Sequence, residues 1–473
     1  MDKSSHYLLK RVSGLIKKIR DLILEKENLK KAIDKLTDEN NELNTLLENL
    51  NIDITGDNKK IPGKIEIHRY QVVTVLFGNV VGFLNLPGYM NTQKYVDQLD
   101  NILLNFDFIL KKYKIHKIKT IGDSYMAAGG IPVKNMTNPI QVVMAALEIQ
   151  KFLKSLAAAE GMNLNVWDIQ MGIHTGPVTA SIRGKKKISY GIKGNTVNMA
   201  SRMGAFSKNG DTLLSGMTYE LVKEVFECVY YGKMPVKYKA DVDLYKVEGL
   251  KPEFSVNGDK FTANELFGIK FKLIQFTDIQ EIILEKLDKE LPPSLYYHNV
   301  KHTIDVVTGV ELIGWAEGLN DEEILILKTA GLFHDAGHII SYDAHENHGA
   351  IMARSFLPEY GYSNEQINRI CEIILATRLP QKPKGLLQKI ICDADLDYFG
   401  RSDMVPVSNS LYKELKAKNK ITKFKEWNIL QLQFLSEHQY YTKTARALRE
   451  VNKQTQIDRI RKLIEEDTGE EDY

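Results

Sequence analysis

The stretch KIKTIGDSYMAAGG, residues Lys117–Gly130, decides the fold of the middle of the chain. It predicts two short strands that meet at a tight turn formed by Gly122 and Asp123, because β-rich runs stand on both sides of these two turn residues. Predicted strands and helices alternate around this hairpin: a strand at 72–77, helices at 92–113 and 139–159, and a strand-rich run at 166–193. This order predicts an α/β or an α+β domain.

The composition limits the class of protein. The chain has 473 residues, which predicts two or three folded units. Its 63 Lys and Arg against 61 Asp and Glu leave a net charge of +2, so we expect neither nucleic acid nor an anionic membrane surface as a partner. Three cysteines are too few and too scattered for a disulfide framework or a zinc module. No apolar run reaches the roughly 20 residues of a membrane span, and the N-terminus lacks the apolar core of a secretion signal. We therefore expect a cytoplasmic protein without membrane insertion.

Residues 1–50 carry a heptad pattern. Leucine recurs every seven residues, at Leu8, Leu15, Leu22, Leu29, Leu36, Leu43 and Leu50. The positions three residues before the last six of these leucines are mostly apolar, with polar exceptions at Lys26 and Asn40. This pattern predicts a parallel two-stranded coiled coil that makes a homodimer. The alternative is one amphipathic helix packed on the globular part of the same chain. A turn-rich linker is predicted at 51–67.

Three motifs in the segment 68–250 resemble class III adenylyl and guanylyl cyclases. FGNVVGF (Phe77–Phe83), the hairpin stretch and GNTVNMASRM (Gly194–Met203) occur in the order and spacing of that family. The resemblance implies an α+β, ferredoxin-like domain whose active site lies at a dimer interface and binds a purine nucleoside triphosphate. It also implies that one face of the dimer supplies two metal-binding aspartates and the other supplies an Asn and an Arg.

The resemblance assigns roles to five residues. Asp123 matches the second metal aspartate, and a carboxylate at a hairpin tip can reach a Mg²⁺ or Mn²⁺ ion bound to phosphate oxygens. Lys119 stands at the position that contacts the purine, where lysine implies a preference for ATP over GTP. Asn198 and Arg202 lie one helical turn apart and match the residues that act on the ribose and on the transferring α-phosphate. Lys237 resembles the lysine that holds the terminal phosphates.

Two positions depart from the cyclase pattern. Asn79 stands where the first metal aspartate is expected, and its neutral amide oxygen is a poorer ligand for a hard dication. Gly191 occupies the position of a second purine-contacting side chain, so the choice of purine depends on Lys119. The domain is therefore expected to be either a slow cyclase or a nucleotide-binding domain that regulates its neighbour.

The segment 292–466 is predicted to be all-helical, because apolar residues recur in it at helical spacing. The preceding residues, 251–291, are predicted to be a linker with a helix from Asp278 to Leu291. An acidic tail, 467–473, is expected to be disordered. Three motifs of the helical segment carry the chemistry: YHNVKHT (Tyr297–Thr303), FHDAGH (Phe333–His338) and ICDADLDYFG (Ile391–Gly400).

These three motifs resemble the HD superfamily of metal-dependent phosphohydrolases. In that superfamily a first His, a His-Asp doublet and a late Asp bind a divalent metal, which matches His302, His334, Asp335 and Asp395 here. Asp393 competes for the last place, because the sequence DAD allows either registration. Imidazole and carboxylate ligands together suit Mn²⁺, Fe²⁺, Zn²⁺ or Mg²⁺, and such a site hydrolyses a phosphoester with an activated water.

Further residues near these motifs refine the prediction. Cyclic-nucleotide phosphodiesterases have a similar YHNxxH sequence and use its first histidine as a general acid, a role that falls to His298. His345 is a candidate contact of a second metal. The additional histidine pair of binuclear members is missing, since Thr377 and Arg378 stand about where it would fall. We therefore expect a mononuclear site.

Together these features predict a dimeric cyclic-nucleotide signalling enzyme. Its middle domain would form or bind a purine nucleotide, and its C-terminal domain would hydrolyse a phosphoester. One alternative is a catalytically inert cyclase-like domain that gates the hydrolase. Another is a scaffold in which both sites are only structural, which the full set of HD ligands opposes.

Overall fold

The computed structural model describes residues 66–81, 92–159, 167–183, 189–208, 210–236 and 240–466. The predicted coiled coil, the acidic tail and Lys237 lie outside the described residues. Residues 65–473 form one compact unit. In the described part of the chain, no helix combines the length and the apolar composition that crossing a bilayer needs.

The first part of this unit is a mixed sheet flanked by helices. Its elements, in chain order, are β1 (Glu66–Val81), α1 (Thr92–Lys112), β2 (His116–Ile121), β3 (Ser124–Gly129), α2 (Asn138–Ala159), β4 (Asp168–Arg183), β5 (Ser189–Lys193), α3 (Asn195–Phe206), β6 (Thr212–Ser215), α4 (Gly216–Val222), β7 (Phe226–Met234) and β8 (Val242–Leu250). Because β1 begins at Glu66, the last two residues of the predicted linker 51–67 belong to the sheet.

The strand order is β2-β3-β1-β4-β6-β8-β7, with β5 paired to β4. The elements β1-α1-β2-β3-α2-β4 make an antiparallel four-stranded core in the order of a ferredoxin-like fold. Strand β6 then joins β4 in parallel, and β8 and β7 extend the sheet antiparallel. The prediction of an α+β domain is therefore confirmed.

Both faces of the central strands are buried. Along β1, Leu76 and Val80 pack into the core that contains α1 and α2, whereas Val73 and Val75 pack into the core on the other face. Helix α3 lies on that second face, where Gly172 of β4 leaves room for it: a Cβ at Gly172 would stand 2.3 Å from the backbone nitrogen of Gly204. The exposed side of α3 is thereby held at a fixed distance from the sheet.

The second part of the unit is helical, as predicted. Its helices are α5 (Glu265–Glu290), α6 (Val300–Ala316), α7 (Asp321–Phe333), α8 (His345–Phe356), α9 (Asn364–Leu375), α10 (Leu386–Asp395), α11 (Met404–Ala417), α12 (Phe424–Glu437) and α13 (Lys443–Glu466). A large apolar core made mainly by α5 to α10 lies behind the residues of the three HD-like motifs.

Helix α5 belongs to both cores. Its first turns place Phe267 and Phe271 against the core of the sheet domain, and its later turns bury Phe276 and Ile283 in the helical core. The predicted start of this helix at Asp278 is therefore wrong by 13 residues, because its first half carries an apolar face for a different neighbour. Asp278 marks the junction: its carboxylate accepts hydrogen bonds from the backbone N–H of Met136, which precedes α2.

Candidate active sites

The turn between β2 and β3 brings Asp123 next to the end of β1. Asn79 pairs with Ser124 in the strand register, and the backbone N–H of Val80 donates to the carbonyl of Asp123 at 2.9 Å. The Asp123 side chain is exposed at this tip. The amide oxygen of Asn79 accepts a hydrogen bond from the Ser124 hydroxyl at 2.8 Å. Asn79 is therefore a neutral side chain with a local partner beside an exposed carboxylate.

Helix α3 presents Asn198 and Arg202 on one exposed face. The opposite face buries Met199 and Met203, so the turn-by-turn spacing of Asn198 and Arg202 keeps both side chains in solvent. Lys119 is likewise exposed, on β2.

The described residues of the cyclase-like site remain on the surface of this one chain. Neither the Asp123 carboxylate nor the Arg202 guanidinium forms an ion pair with any described residue. Gly191, on β5, is exposed and offers no side chain for the purine. The structure therefore shows two groups of polar side chains, half-buried Asn79 with exposed Asp123, and exposed Asn198 with exposed Arg202. Among the described residues, no hydrogen bond or ion pair joins these side chains across the two groups.

The helical domain brings its four predicted ligands together. The Nε2 atom of His302 lies 3.3 Å from Asp335 Oδ2 and 3.2 Å from Asp395 Oδ1. The Nε2 atom of His334 lies 3.2 Å and 3.6 Å from the same two oxygens, and 3.3 Å from the Nε2 atom of His302. Four donor atoms, one from each residue, thus converge on one point.

Local structure fixes these side chains. The Asn299 side chain caps α6 by accepting from the backbone N–H groups of Lys301 and His302, which sets where the helix begins. His334 Nδ1 lies 2.8 Å from the carbonyl oxygen of Gly331. Because a carbonyl can only accept, Nδ1 carries a proton, and in the neutral ring Nε2, which lies on the side of Asp335 and Asp395, is the nitrogen left to bind a metal ion.

The charges of this cluster suit a divalent cation. Burial lowers the pKa of His334, but Asp335 and Asp395 raise it well above its usual value. Burial alone would raise the pKa of Asp395, yet its contacts with His302 and His334 bring it down to about 2. The buried Oδ2 atom of Asp335 has no hydrogen bond of good geometry among the described residues, although His302 Nε2 and His334 Nε2 lie 3.3 Å and 3.2 Å from it. Donor separations of 3.2–3.6 Å also match the edges, about 3.4 Å, of a tetrahedron with metal–ligand bonds of about 2.1 Å. The residues present therefore fit a metal ion.

The position of Asp393 differs from that of Asp395. Asp393 is fully buried, and its carboxylate accepts at 2.8 Å from each of the backbone N–H groups of Tyr441 and Thr442, just before α13. Its oxygens are therefore engaged in holding the start of that helix. Only Asp395 of this pair points a carboxylate oxygen at the two histidines.

His298 has a partner that the sequence did not reveal. Its Nδ1 contacts the carboxylate of Glu414, which also accepts from the backbone N–H groups of Tyr297 and His298 and from the hydroxyl of Tyr342. Burial opposes ionisation of Glu414, but these donors, with His298 first among them, lower its pKa overall. The sequence signal that could have revealed this contact is Glu414 itself, an acidic residue on the side of α11 that faces the core, where charged residues are rare.

A second group of side chains lies beside the first. His298, Asp335 and His338 each offer a donor atom within 4.8 Å of the others. His345 Nε2 lies 3.3 Å from Asp335 Oδ1, the oxygen that faces away from His302. His338 is buried, and neither of its ring nitrogens has a hydrogen-bond partner among the described residues, although its Nε2 lies 4.0 Å from Asp335 Oδ1. Burial lowers the pKa of His338 to about 3. The expectation of a mononuclear site did not include this group, because His338 was not considered.

A cavity of about 440 Å³ opens onto both groups. Asp335, His338 and Asp395 line part of it, and aromatic and aliphatic side chains line another part: Phe399, Leu411, Trp427, Leu430 and Phe434. Gln431 also lines the cavity, and its Nε2 donates to the Ser408 hydroxyl at 2.5 Å. The site thus joins a cation-binding cluster to an apolar wall that holds one fixed amide.

Two family models match the chain. Residues 65–249 match the adenylate and guanylate cyclase catalytic domain, and residues 299–397 match the HD domain. Human guanylyl cyclase C is 33% identical over 199 residues, which are 41% of this chain and 18% of that protein. The soluble guanylate cyclase subunit beta-2 of Rattus norvegicus is 31% identical over 248 residues, 52% of this chain and 34% of that protein. The chain thus spans a minor part of these relatives.

Solved cyclase domains are also similar. The guanylate cyclase domain of RhGC from Catenaria anguillulae, in complex with GTP, is 30% identical with a TM-score of 0.35, and the match covers 39% of this chain and 100% of that one. The adenylyl cyclase CyaB from P. aeruginosa is 31% identical with a TM-score of 0.35, over 38% of this chain and 95% of that one. Both resemblances inferred from the motifs are confirmed by the family matches. Residues 65–249 are thus similar to adenylate and guanylate cyclase catalytic domains, and residues 299–397 are similar to HD domains.

Proposed function

We propose that this protein is a cyclic-nucleotide signalling enzyme with two activities. Its cyclase domain converts a purine nucleoside triphosphate into a cyclic nucleotide, and its HD domain hydrolyses a phosphodiester. The observation that carries the second activity is the convergence of His302, His334, Asp335 and Asp395 at separations of 3.2–3.6 Å. The motifs and the ferredoxin-like core support the first.

In the HD domain, these four residues would hold one divalent ion, such as Mn²⁺, Fe²⁺, Zn²⁺ or Mg²⁺. When bound, such an ion supplies Lewis-acid activation of water and of the phosphoryl group. His298 stands beside this set, and its Nδ1 contacts the carboxylate of Glu414. Because Glu414 holds Nδ1, Nε2 is the ring nitrogen that would donate a proton to the leaving oxygen. Glu414 acts here as a positioning residue.

The cavity favours a nucleotide as the phosphodiester substrate. A volume of about 440 Å³ is enough for a mononucleotide, and the wall that carries Trp427 and Phe434 suits the flat face of a base. Gln431 is oriented by Ser408, which also accepts from Trp427 Nε1 at 3.1 Å. The remaining amide atoms of Gln431 can then pair with the edge of the base. A cyclic nucleotide meets both requirements, since it joins a base to a phosphodiester.

In the cyclase domain, Asp123 and Asn79 would hold Mg²⁺ or Mn²⁺ from one face of a dimer. Asn198 and Arg202 would act on the ribose and the α-phosphate from the other face, and Lys237 would hold the terminal phosphates. All the described residues of this set are exposed or half-buried, as residues completed by a second copy should be. The coiled coil at residues 1–50 would bring the two copies together.

We favour ATP as the cyclase substrate because Lys119 stands at the purine position. The curated relatives are guanylyl cyclases, so GTP is the alternative. Asn79 should make turnover slow, because a neutral amide already engaged by Ser124 neutralises little of the metal charge. If the domain is inert, it would instead bind nucleotide and gate the HD domain.

One experiment tests the cyclase proposal. The full chain is incubated with ATP or GTP in the presence of Mn²⁺ or Mg²⁺. The products are separated by chromatography and identified by mass spectrometry. We expect cyclic AMP, more of it in Mn²⁺, and an increase in Mg²⁺ with Asn79→Asp but not with Asn79→Ala. If the Asn79→Asp variant also forms no cyclic product, the cyclase-like domain would be an inert nucleotide-binding domain. Lys119→Glu should shift the preference toward GTP.

A second incubation of the full chain tests the HD proposal. Cyclic AMP and cyclic GMP are supplied directly, and the linear monophosphates are measured. Hydrolysis that is lost with Asp335→Ala would support the proposal. A purified, metal-loaded chain that hydrolyses neither cyclic nucleotide nor a nitrophenyl phosphodiester would contradict it.

A further inference from the structure

The HD cavity has an unusual balance of charge for a site that receives an anion. Four carboxylates line it: Asp335, Asp343, Glu346 and Asp395. Among the described lining residues, Arg378 and Lys420 are the side chains with a permanent positive charge. One divalent ion offsets only two of the four negative charges. A phosphoester anion therefore needs a further cation to enter this cavity without strong repulsion.

The two cations are not equally available. Lys420 Nζ lies 3.1 Å from the Asp343 carboxylate and 4.5 Å from the centre of the Tyr342 ring, so it is occupied at the rim. Arg378 Nη2 donates to the neutral amide oxygen of Asn347 at 2.8 Å. Its Nη1 has no hydrogen-bond partner among the described residues. The Arg378 side chain is 49% exposed and keeps donors free for a ligand.

The neighbours of Arg378 connect it to the proposed metal ligand Asp335. Arg378 Nε lies 3.6 Å from Glu346 Oε2, and the other oxygen of this buried carboxylate lies 3.7 Å from His345 Nε2. The same His345 nitrogen is 3.3 Å from Asp335 Oδ1. One imidazole and one carboxylate therefore separate the guanidinium from the proposed metal ligand Asp335. Arg378 therefore lines the cavity and is held there by Glu346 and Asn347.

The packing of α8 makes this arrangement rigid. Gly337 has no Cβ, and one placed there would stand 1.9 Å from the carbonyl oxygen of His345. The first turn of α8, which carries His345, Glu346 and Asn347, is therefore seated directly on the turn that follows Asp335. Both groups that hold Arg378 come from this turn.

We propose that Arg378 binds the non-bridging oxygens of the phosphoryl group that the HD site hydrolyses. A guanidinium presents paired N–H donors that match two phosphoryl oxygens, and its interaction strengthens as negative charge builds up on them. It supplies a fixed positive charge on the side of Asp335 that faces away from His302. This proposal rests on the proposed phosphodiesterase function and names a specificity residue for it.

The test compares Arg378→Gln and Arg378→Lys with a matched control. Arg354 is exposed and donates to Asn368 Oδ1 at 2.7 Å, so Arg354→Gln removes the same type of contact outside the cavity. Three quantities are measured on the full chain: bound metal, kcat/KM for bis(4-nitrophenyl) phosphate, and the Kd of inorganic phosphate by calorimetry. We expect Arg378→Gln to lower kcat/KM by about 10²–10³-fold and to weaken phosphate at least about tenfold, with metal content unchanged. Arg378→Lys should recover part of both, and Arg354→Gln should match the wild type.

Two results would overturn the proposal. The first is an Arg378→Gln chain whose phosphate affinity and kcat/KM stay within about twofold of Arg354→Gln. The second is loss of metal in Arg378→Gln, since the arginine would then order the ligands instead of binding phosphate. Failure of the proposed function is separable, because a wild-type chain without phosphodiesterase activity would still show whether phosphate binding depends on Arg378.

Discussion

The HD site and the cyclase site differ in how much of the chemistry one copy of the chain brings together. In the helical domain, four ligand atoms from α6, the end of α7 and the end of α10 meet at 3.2–3.6 Å, three of them on buried residues and the fourth on half-buried Asp395. In the cyclase domain, Asp123 and Arg202 are exposed and make no ion pair with the described residues. A buried ligand set can be complete within one fold, whereas exposed polar groups on a sheet need a second surface to close over them.

The largest expected effect tests whether the HD cluster is a metal centre. Asp335→Ala removes a buried carboxylate that faces both His302 and His334, so bound metal should fall to about a tenth of the wild-type value or less, together with phosphodiesterase activity. Elemental analysis of the purified chain measures the metal. Asp343→Ala is the control, because Asp343 lines the same cavity outside the cluster. Full retention of metal by Asp335→Ala would remove the main difference between the two sites.

The next effect separates proton donation from metal binding within the HD site. His298→Ala should keep the metal and lower kcat by about 10²–10⁴-fold, the usual contribution of a general acid. Glu414→Gln should act in the same direction by about 10–100-fold, since it only orients the imidazole. A nitrophenyl ester should be less affected than a cyclic nucleotide, because its leaving group needs less help from a proton. Loss of metal in His298→Ala would instead make His298 a ligand of the second group.

A third effect tests whether the cyclase site needs two copies. Asp123→Ala and Arg202→Ala are made in the Asn79→Asp background, where turnover should be easiest to measure. Each variant alone should be inactive, and an equal mixture should recover about a quarter of the parent activity, because half of the dimers then contain one intact site. Deletion of residues 1–50 should make activity fall on dilution. A mixture that stays inactive while both variants bind nucleotide would indicate that one copy carries the whole site.

The smallest effect concerns the junction between the two domains. Burial raises the pKa of Asp278 to about 6, against the backbone N–H of Met136, which lowers it. The folded state therefore holds this proton more tightly than the unfolded chain, so the carboxylate costs stability above pH 6 and costs nothing once pH falls below about 4. Asp278→Asn should raise stability by about 1 kcal/mol at pH 7.5, allowing for solvent screening, and the gain should vanish near pH 4.

Thermal unfolding of the full chain at both pH values measures this effect. Asp288→Asn, an exposed position on the same helix, is the matched control. A lower melting temperature for Asp278→Asn at pH 7.5 would mean that the charged hydrogen bond to Met136 outweighs the burial of the carboxylate.

The contrast between the two sites also explains what the sequence could predict. The short motif FHDAGH locates His334 and Asp335, because these two ligands are consecutive in the sequence. Glu414 lies 116 residues from His298, so no local pattern links the acid to its histidine. The choice between Asp393 and Asp395 likewise depended on where α13 begins, since that helix takes the carboxylate of Asp393. Tertiary contacts of this kind have no signature in the spacing of the residues.

The start of helix α5 was predicted wrongly for a related reason. The first half of α5 has a pattern that fits no single amphipathic face, because Phe267 and Phe276 are buried in different cores. Apolar periodicity identifies a helix by a single buried face. The predicted helix therefore began at Asp278. The second half was predictable because its apolar residues serve one neighbour.

Because α5 packs on both cores, it limits where the chain can be divided into fragments. Phe276, Ile279, Ile283 and Leu287 are each at most 2% exposed within the HD core. At about 1.5–3 kcal/mol for each buried side chain, a fragment that begins at Leu291 would lose on the order of 6–12 kcal/mol, comparable to the whole stability of a typical domain. A fragment that ends before α5 would in turn expose the apolar surface of the sheet domain that Phe267 and Phe271 cover. No single cut between residues 251 and 291 therefore leaves both the sheet domain and the helical domain intact, because each needs α5 (Glu265–Glu290).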